Sequence, residues 1–145
     1  MSSTYPLSIY YDSSCPLCNQ EMVRLKILDQ GNNLTLIDCS KESFSAPEGA
    51  PGKDKMMQLM HVQTADGLWV IGVPAFRLIY AGVGFKFVAD WLDRPYVKRI
   101  MQHAYPLIAK NRYRIPGWFA EVWVNWLAKQ AQRRSQSCAN GQCKI

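Results

Sequence analysis

Cys15 and Cys18, in the sequence Cys-Pro-Leu-Cys, have the spacing of a redox-active dithiol. Turn residues precede Cys15, and Pro16 suits the first position of a helix, where a missing N–H costs nothing. Cys15 is then expected at the N-cap and Cys18 one turn further along. A helix N-terminus stabilises a thiolate and lowers a cysteine pKa from about 8.5 toward about 3.5–7.5. We therefore predict that Cys15 attacks a disulfide and that Cys18 resolves the mixed disulfide.

Half of a zinc site is the main alternative for these two cysteines. Structural zinc takes four ligands, and the other close pair is Cys138 and Cys143, while Cys39 stands alone. We predict thiol chemistry, with no metal and no cofactor. The role of Cys138 and Cys143 stays open between a mobile electron relay, completion of a four-cysteine metal site, and incidental thiols in a polar tail.

Asp12 is a further candidate site residue, three positions before Cys15. One interpretation is a catalytic carboxylate that accepts a proton or tunes the thiols. A carboxylate near a thiol raises the thiol pKa, which opposes the effect of the helix. The other interpretation is an Asx turn that orders the loop. The sequence leaves both open.

Short elements must position these residues. The predicted order is strand, helix, strand, hairpin and helix, at residues 7–11, 16–30, 34–38, 60–71 and from Pro74 onward. The first three elements form a βαβ unit with parallel strands, and Asp66-Gly67 predicts the hairpin turn. Residues 40–55 lack apolar periodicity and predict a long surface loop. This order predicts an α/β fold of the thioredoxin-like type.

The remaining chain predicts additional C-terminal helices and one domain over residues 1–132, followed by a polar, cysteine-containing tail at 133–145. Its 48% apolar and 19% charged residues are typical of a globular domain and exclude a disordered chain. No apolar run is long enough to cross a bilayer, and the N-terminus lacks a secretion signal. We therefore expect a cytoplasmic protein.

The C-terminal part is basic, because residues 94–145 contain ten Lys and Arg and one acid, Glu121. The predicted helix 118–132 carries an aromatic face, formed by Phe119, Val122, Trp123 and Trp126. This face either packs on the core or, together with the basic residues, docks residues 118–134 on a membrane surface or partner protein. We expect no nucleic-acid partner.

The cysteine segment also resembles a known family. The residues Tyr11-Asp12-Ser13-Ser14-Cys15-Pro16-Leu17-Cys18 are similar to the signature of the DCC family, named for its Asp-Cys-Cys motif. The resemblance extends over residues 7–115, at Met60-His61-Val62, Asp66-Gly67, Gly72, Ala75, Tyr105 and Ala109-Lys110-Asn111-Arg112. It implies a thioredoxin-like fold, thiol-disulfide oxidoreductase activity, and an active site of Asp12, Cys15 and Cys18. It implies no physiological substrate.

Substrate contacts are predicted at Pro16, Met60 and Arg112. Thioredoxins place a cis-proline just before the hairpin, and here Leu59 or Met60 must occupy that place. Arg112 either binds a carboxylate or phosphate or caps helix carbonyls. Cys-Pro-Leu-Cys also resembles the Cys-Pro-aromatic-Cys of glutaredoxins, so a glutathione-linked reductase is one alternative. A non-catalytic binding module that docks through its basic half is the other.

Overall fold

The computed structural model describes residues 3–139, with side chains described through Arg134. Four strands form one sheet: β1 (Leu7–Tyr11), β2 (Leu34–Asp38), β3 (His61–Gln63) and β4 (Trp69–Ile71). The strand order is β2-β1-β3-β4, with β1 parallel to β2 and antiparallel to β3. β3 and β4 form the predicted hairpin. The predicted thioredoxin-like α/β fold is confirmed.

Six helices surround the sheet: α1 (Pro16–Leu28), α2 (Lys53–Gln58), α3 (Val73–Gly82), α4 (Lys86–Leu92), α5 (Pro95–Asn111) and α6 (Gly117–Ala139). A 3₁₀ turn, Arg112–Arg114, links α5 to α6. Helix α2 begins at the end of the segment 40–55 predicted as a loop and continues beyond it, and α6 continues beyond the end predicted at residue 132. The separation of residues 133–145 as a tail stays a prediction, since 140–145 lie outside the described residues.

Alternation along β1 divides the core between the two faces of the sheet. Leu7 and Ile9 point into the main cluster, whereas Tyr10 packs with Met56 of α2 and with Cys39 on the opposite face. The main cluster receives side chains from α1, α3, α4, α5 and α6, including Met22, Leu25, Ile79, Leu92, Val97, Val124 and Leu127. Helix α1 is therefore held between the sheet and α6.

Gly117 lets the start of α6 lie directly against the start of α1. A Cβ at this position would lie 2.9 Å from the Gln20 side chain and 3.0 Å from the Pro16 carbonyl oxygen. Both distances are shorter than side-chain atoms normally tolerate, so a larger residue would push the helices apart. An Arg24–Glu121 ion pair joins the same two helices further along. The C-terminal helices are thus fixed next to the cysteine segment.

The aromatic face of α6 does not pack on the core. The buried positions of this helix are Ala120, Val124 and Leu127, which are 3%, 0% and 1% exposed. Large apolar side chains lie exposed on the rest of the helix, namely Trp118, Phe119, Val122, Trp123 and Trp126. The interpretation in which these aromatic residues cover the core is therefore wrong, because the smaller aliphatic stripe fits closer to α1. No helix in the described part of the chain is long and apolar enough to cross a membrane.

Shortening a side chain is expected to lower the free energy of unfolding much more on the buried face of α6 than on its exposed face. We expect Leu127→Ala to lower the free energy of unfolding by about 2–5 kcal/mol, because it leaves a cavity in the core. Val122→Ala, at a position 59% exposed, is expected to change it by less than about 0.5 kcal/mol. Urea denaturation of both variants provides the measurement. Equal losses at the two positions would contradict this assignment of the faces.

Candidate redox site

Cys15 is the N-cap residue of α1, as predicted. Its backbone is extended (φ −81°, ψ 115°), and its Sγ accepts a hydrogen bond from the Cys18 backbone N–H at 3.3 Å. Pro16 follows at the first helical position and is exposed. The sulfur of Cys15 thus takes the place of a side-chain oxygen in an ordinary helix cap, where unpaired backbone N–H groups favour negative charge.

The two thiols have opposite acid–base properties. A hydrogen bond from the Cys18 side chain is the main cause that lowers the pKa of Cys15 from 9.0 to about 6. The Cys18 backbone N–H and the Arg112 guanidinium lower it further, whereas burial and Asp12 act in the opposite direction. The pKa of Cys18 is raised because its thiol donates to Cys15 and because it is buried. At pH 7 the site therefore holds a Cys15 thiolate beside a neutral Cys18 thiol.

Asp12 forms the Asx turn that the sequence left open, whereas a catalytic role for its carboxylate stays a prediction. Its Oδ1 accepts a hydrogen bond from the Ser14 backbone N–H at 2.9 Å and another from the Ser14 hydroxyl, which gives an Asx turn before Cys15. Its Oδ2 accepts from Arg112 Nη2 at 3.3 Å and from the Tyr113 hydroxyl. The carboxylate is buried and its charge also acts on Cys15. It therefore orders the turn and contributes to the electrostatics of the thiols.

Arg112 crosses from the 3₁₀ turn to the cysteine segment. Besides the ion pair with Asp12, its Nη2 donates to the Met57 carbonyl oxygen near the end of α2. Its guanidinium lies 5.0 Å from the centre of the Tyr113 ring. The cap of α5 is supplied instead by Asn111, whose Nδ2 donates to the Leu107 carbonyl. Arg112 thus does not cap α5, and its binding of a substrate carboxylate or phosphate stays a prediction, because the carboxylate that it contacts belongs to Asp12.

Cys15 and Cys18 differ in access. Cys15 is 0% exposed, and the Arg112 carbonyl oxygen lies 3.9 Å from its sulfur. Cys18 is partly exposed and lines a cavity of about 650 Å³ between the sheet, α1, α3, α5 and α6. The thiolate is thus covered by the 3₁₀ turn, whereas the neutral thiol faces open space.

The cavity wall is mainly apolar and rich in aromatic rings. Phe76, Tyr80, Tyr105, Phe119 and Trp123 are among its lining residues, together with Met60 and Arg112. Met60 directly precedes β3, and its backbone N–H donates to the Tyr105 hydroxyl at 2.9 Å. The predicted contact residues Met60 and Arg112 therefore share one cavity with Cys18, whereas Pro16 does not line it.

Glu21 and Tyr80 form a polar group in this wall that sequence reasoning missed. The Tyr80 hydroxyl donates to the Glu21 carboxyl, and Trp123 Nε1–H donates to the Tyr80 hydroxyl at 3.2 Å. Burial raises the pKa of Glu21, with the Tyr80 hydrogen bond acting in the opposite direction. Glu21 lies three residues after Cys18, hence on the same side of α1. This spacing could have indicated from the sequence that Glu21 lies beside Cys18.

The zinc interpretation finds no ligand set in the structure. Among the side chains described, no three His, Cys, Asp or Glu residues are grouped so that they could hold a metal ion. The predicted pair of Cys138 and Cys143 cannot be placed, because Cys143 lies outside the described residues and no side-chain position is described for Cys138. Their role, as a relay, as metal ligands or as incidental thiols, therefore stays open.

Comparison with known proteins gives the family. The sequence profile of the DCC1-like thiol-disulfide oxidoreductases matches residues 9–118, and the chain belongs to this family. It is 28% identical over 116 residues to an Arabidopsis thaliana protein named "Uncharacterized protein At5g50100, chloroplastic". The aligned region covers 78% of this chain and 54% of that protein, so the chain spans about half the length of this relative. No solved structure gives a significant match.

The Cys15 thiolate can be detected by a pH titration in which no reagent has to reach the sulfur. We expect the thiolate absorbance near 240 nm to rise with a midpoint of about pH 6, and Cys15→Ser to abolish this transition. Arg112→Gln should raise the midpoint, because it removes a positive charge and leaves Asp12 in place. Arg112→Lys is the control that retains the charge. A midpoint near 9 in the unaltered chain would contradict the assignment.

Proposed function

We propose that the chain exchanges thiols and disulfides through Cys15 and Cys18, with Cys15 as nucleophile and Cys18 as resolving thiol. The observation that supports it is the Cys15 sulfur at the α1 N-cap, where the Cys18 N–H donates to it at 3.3 Å and its pKa is about 6. A thiolate attacks a disulfide far faster than a thiol does. Asp12 and Arg112 act as positioning residues, since they hold the turn and set the charge around the sulfur.

Access to Cys15 requires a movement of the 3₁₀ turn. The sulfur is fully buried beneath Arg112, so a disulfide approaches it only when residues 112–114 shift. Cys18 then attacks the mixed disulfide from the cavity side and releases the reduced product. Cys15 thus attacks the substrate disulfide first. The Cys15–Cys18 disulfide then closes, and the substrate thiol leaves.

Glutathione is retained as one candidate partner of this exchange. It carries two carboxylates. Of the two arginines in the cavity wall, Arg112 is already paired with Asp12, and Arg114 is exposed. The interior of the wall therefore offers glutathione little charge complementarity. A protein or a less polar small disulfide fits the same chemistry better. A cytoplasmic location stays a prediction.

Single cysteine variants test the order of attack. We expect Cys18→Ser to accumulate a mixed disulfide with 5-thio-2-nitrobenzoate after treatment with the corresponding aromatic disulfide, because the resolving thiol is absent. With Cys138 and Cys143 also replaced by serine in every variant, Cys15→Ser should react at least about a hundredfold more slowly at pH 7, since its Cys18 thiol is neutral. Mass spectrometry of the adducts and release of the coloured thiol provide the measurements.

Cys39→Ser is the control in this experiment, because Cys39 lies on the opposite side of the sheet and is fully buried. Its reaction should match that of the unaltered chain. Faster labelling of the Cys15→Ser variant than of Cys18→Ser would show that Cys18 is the nucleophile. Equal and slow labelling of all variants would favour the non-catalytic binding module.

As a second function, we propose peripheral contact of α6 with an anionic membrane surface. Five large apolar side chains of this helix are exposed, and the C-terminal part of the chain is basic. The ring centres of Trp118 and Phe119 lie 5.5 Å apart and those of Trp123 and Trp126 lie 5.6 Å apart, so the rings form two pairs along the exposed part of the helix. Aromatic rings beside basic residues suit the interface of a bilayer.

Vesicle flotation tests this contact. We expect the chain to float with phosphatidylcholine vesicles that contain phosphatidylglycerol, and to bind less as the salt concentration rises. The triple variant Trp118→Ser, Val122→Ser, Trp126→Ser should bind at least about tenfold more weakly, because it loses apolar area on the exposed face. Ile27→Ser with Leu68→Ser, at exposed apolar positions elsewhere, is the matched control. Absence of flotation at low salt would exclude the membrane contact.

A further inference from the structure

The geometry points to a quinone as the electron acceptor that occupies the cavity beside Cys18. This inference rests on the proposed dithiol chemistry and adds a binding site and a substrate class to it. The cavity volume, about 650 Å³, is in the range that holds a small organic molecule. A thiol of a redox-active pair forms part of its wall, so the occupant lies next to a source of two electrons.

The apolar wall excludes most other electron carriers. Burying an amide or a charge without a partner costs several kcal/mol, which disfavours a peptide disulfide inside the cavity. A phosphate-bearing cofactor needs positive charge, whereas Arg112 already neutralises Asp12 and the other lining arginine, Arg114, is exposed rather than enclosed by the wall. A quinone carries no charge and exposes only its carbonyl oxygens as strong hydrogen-bond acceptors. Its chemistry fits this wall.

The aromatic lining and the polar group supply the specific contacts. Rings of Phe76, Tyr105 and Trp123 offer faces and edges against which a planar ring packs. Among the groups in the wall, Glu21 can donate a proton when its carboxyl is neutral, and it lies one turn from Cys18 on α1. Its partner Tyr80 belongs to the same wall. The site therefore combines an apolar cavity with a side chain that can act as an acid.

The reaction balances with these groups alone. A Cys15–Cys18 disulfide forms, the S–H bond of Cys18 breaks, and two electrons pass to the quinone. One quinone oxygen takes the proton of the Cys18 thiol, and the other takes a proton from Glu21. Glu21 is left as a carboxylate and regains its proton from solvent. The products are a hydroquinone and an oxidised cysteine pair, which then accepts electrons from a substrate dithiol.

Anaerobic oxidation of the reduced full chain by tetramethyl-1,4-benzoquinone tests the site. This probe has no free ring position to which a thiol could add and remain attached. We expect the rate of thiol loss to saturate with quinone concentration. Ala109→Phe, which fills the cavity from α5, should weaken the apparent affinity at least about tenfold, while His103→Phe, exposed on the same helix and outside the cavity, should not change it.

Glu21→Gln tests the role of Glu21 as an acid separately from binding of the quinone in the cavity. It should lower the limiting rate of quinone reduction by about a hundredfold with little change in half-saturation, because a glutamine donates no proton to the ring oxygen. Saturable quenching of tryptophan fluorescence by the quinone in the oxidised chain gives binding without turnover. Thermal unfolding of each variant verifies that it is folded.

The outcomes distinguish the two proposals. A rate that stays linear in quinone concentration, or equal behaviour of Ala109→Phe and His103→Phe, overturns the quinone site, even where disulfide exchange proceeds normally. Unchanged limiting rates in Glu21→Gln overturn its role as acid. Absence of disulfide exchange in the unaltered chain overturns the proposed function, whatever the quinone does.

Discussion

The buried ion pair between Asp12 and Arg112 is the constraint on which the site depends. Its partners stand 100 residues apart in the sequence, so the contact ties the segment after α5 to the turn before α1. Breaking such a pair by removing one partner costs about 3–5 kcal/mol, because the other charge remains buried. Here each charge has additional partners: Ser14 and Tyr113 for the carboxylate, and the Met57 carbonyl for the guanidinium. These contacts hold the 3₁₀ turn over Cys15.

The same pair also sets the charge balance at the nucleophile. Arg112 favours the Cys15 thiolate and Asp12 disfavours it, so the two charges act against one another at the sulfur. The hydrogen bonding from Cys18, through both its thiol and its backbone N–H, lowers the Cys15 pKa more than Arg112 does. The low pKa of one cysteine and the high pKa of the other therefore have a common cause. The two cysteines together, rather than Cys15 alone, therefore stabilise the reactive thiolate.

The sequence predicted those parts of the molecule that local chemistry determines. Pro16 at the helix start and Asp66-Gly67 at the hairpin impose their geometry on a few neighbours, and both elements were found where expected. Helix α2 was missed because its Met56 is a single buried anchor among polar residues, which gives no periodicity. The contact of Arg112 with Asp12 and the cavity around Glu21 arise from tertiary packing of distant segments. The spacing of Cys18 and Glu21 places these two side chains on one side of α1, but it indicates neither the ion pair nor the other walls of the cavity.

Helix α6 shows how a local pattern is overridden by packing. Its aromatic residues would be the natural choice for a core, yet the close approach at Gly117 brings the backbones of α1 and α6 so near that only the stripe of Ala120, Val124 and Leu127 fits between them. The large rings are left outside, and two of them, Phe119 and Trp123, reach the wall of the cavity beside Cys18. Phe119 and Trp123 therefore belong both to the exposed face of α6 and to the wall beside Cys18, whereas Cys15 is covered by the 3₁₀ turn.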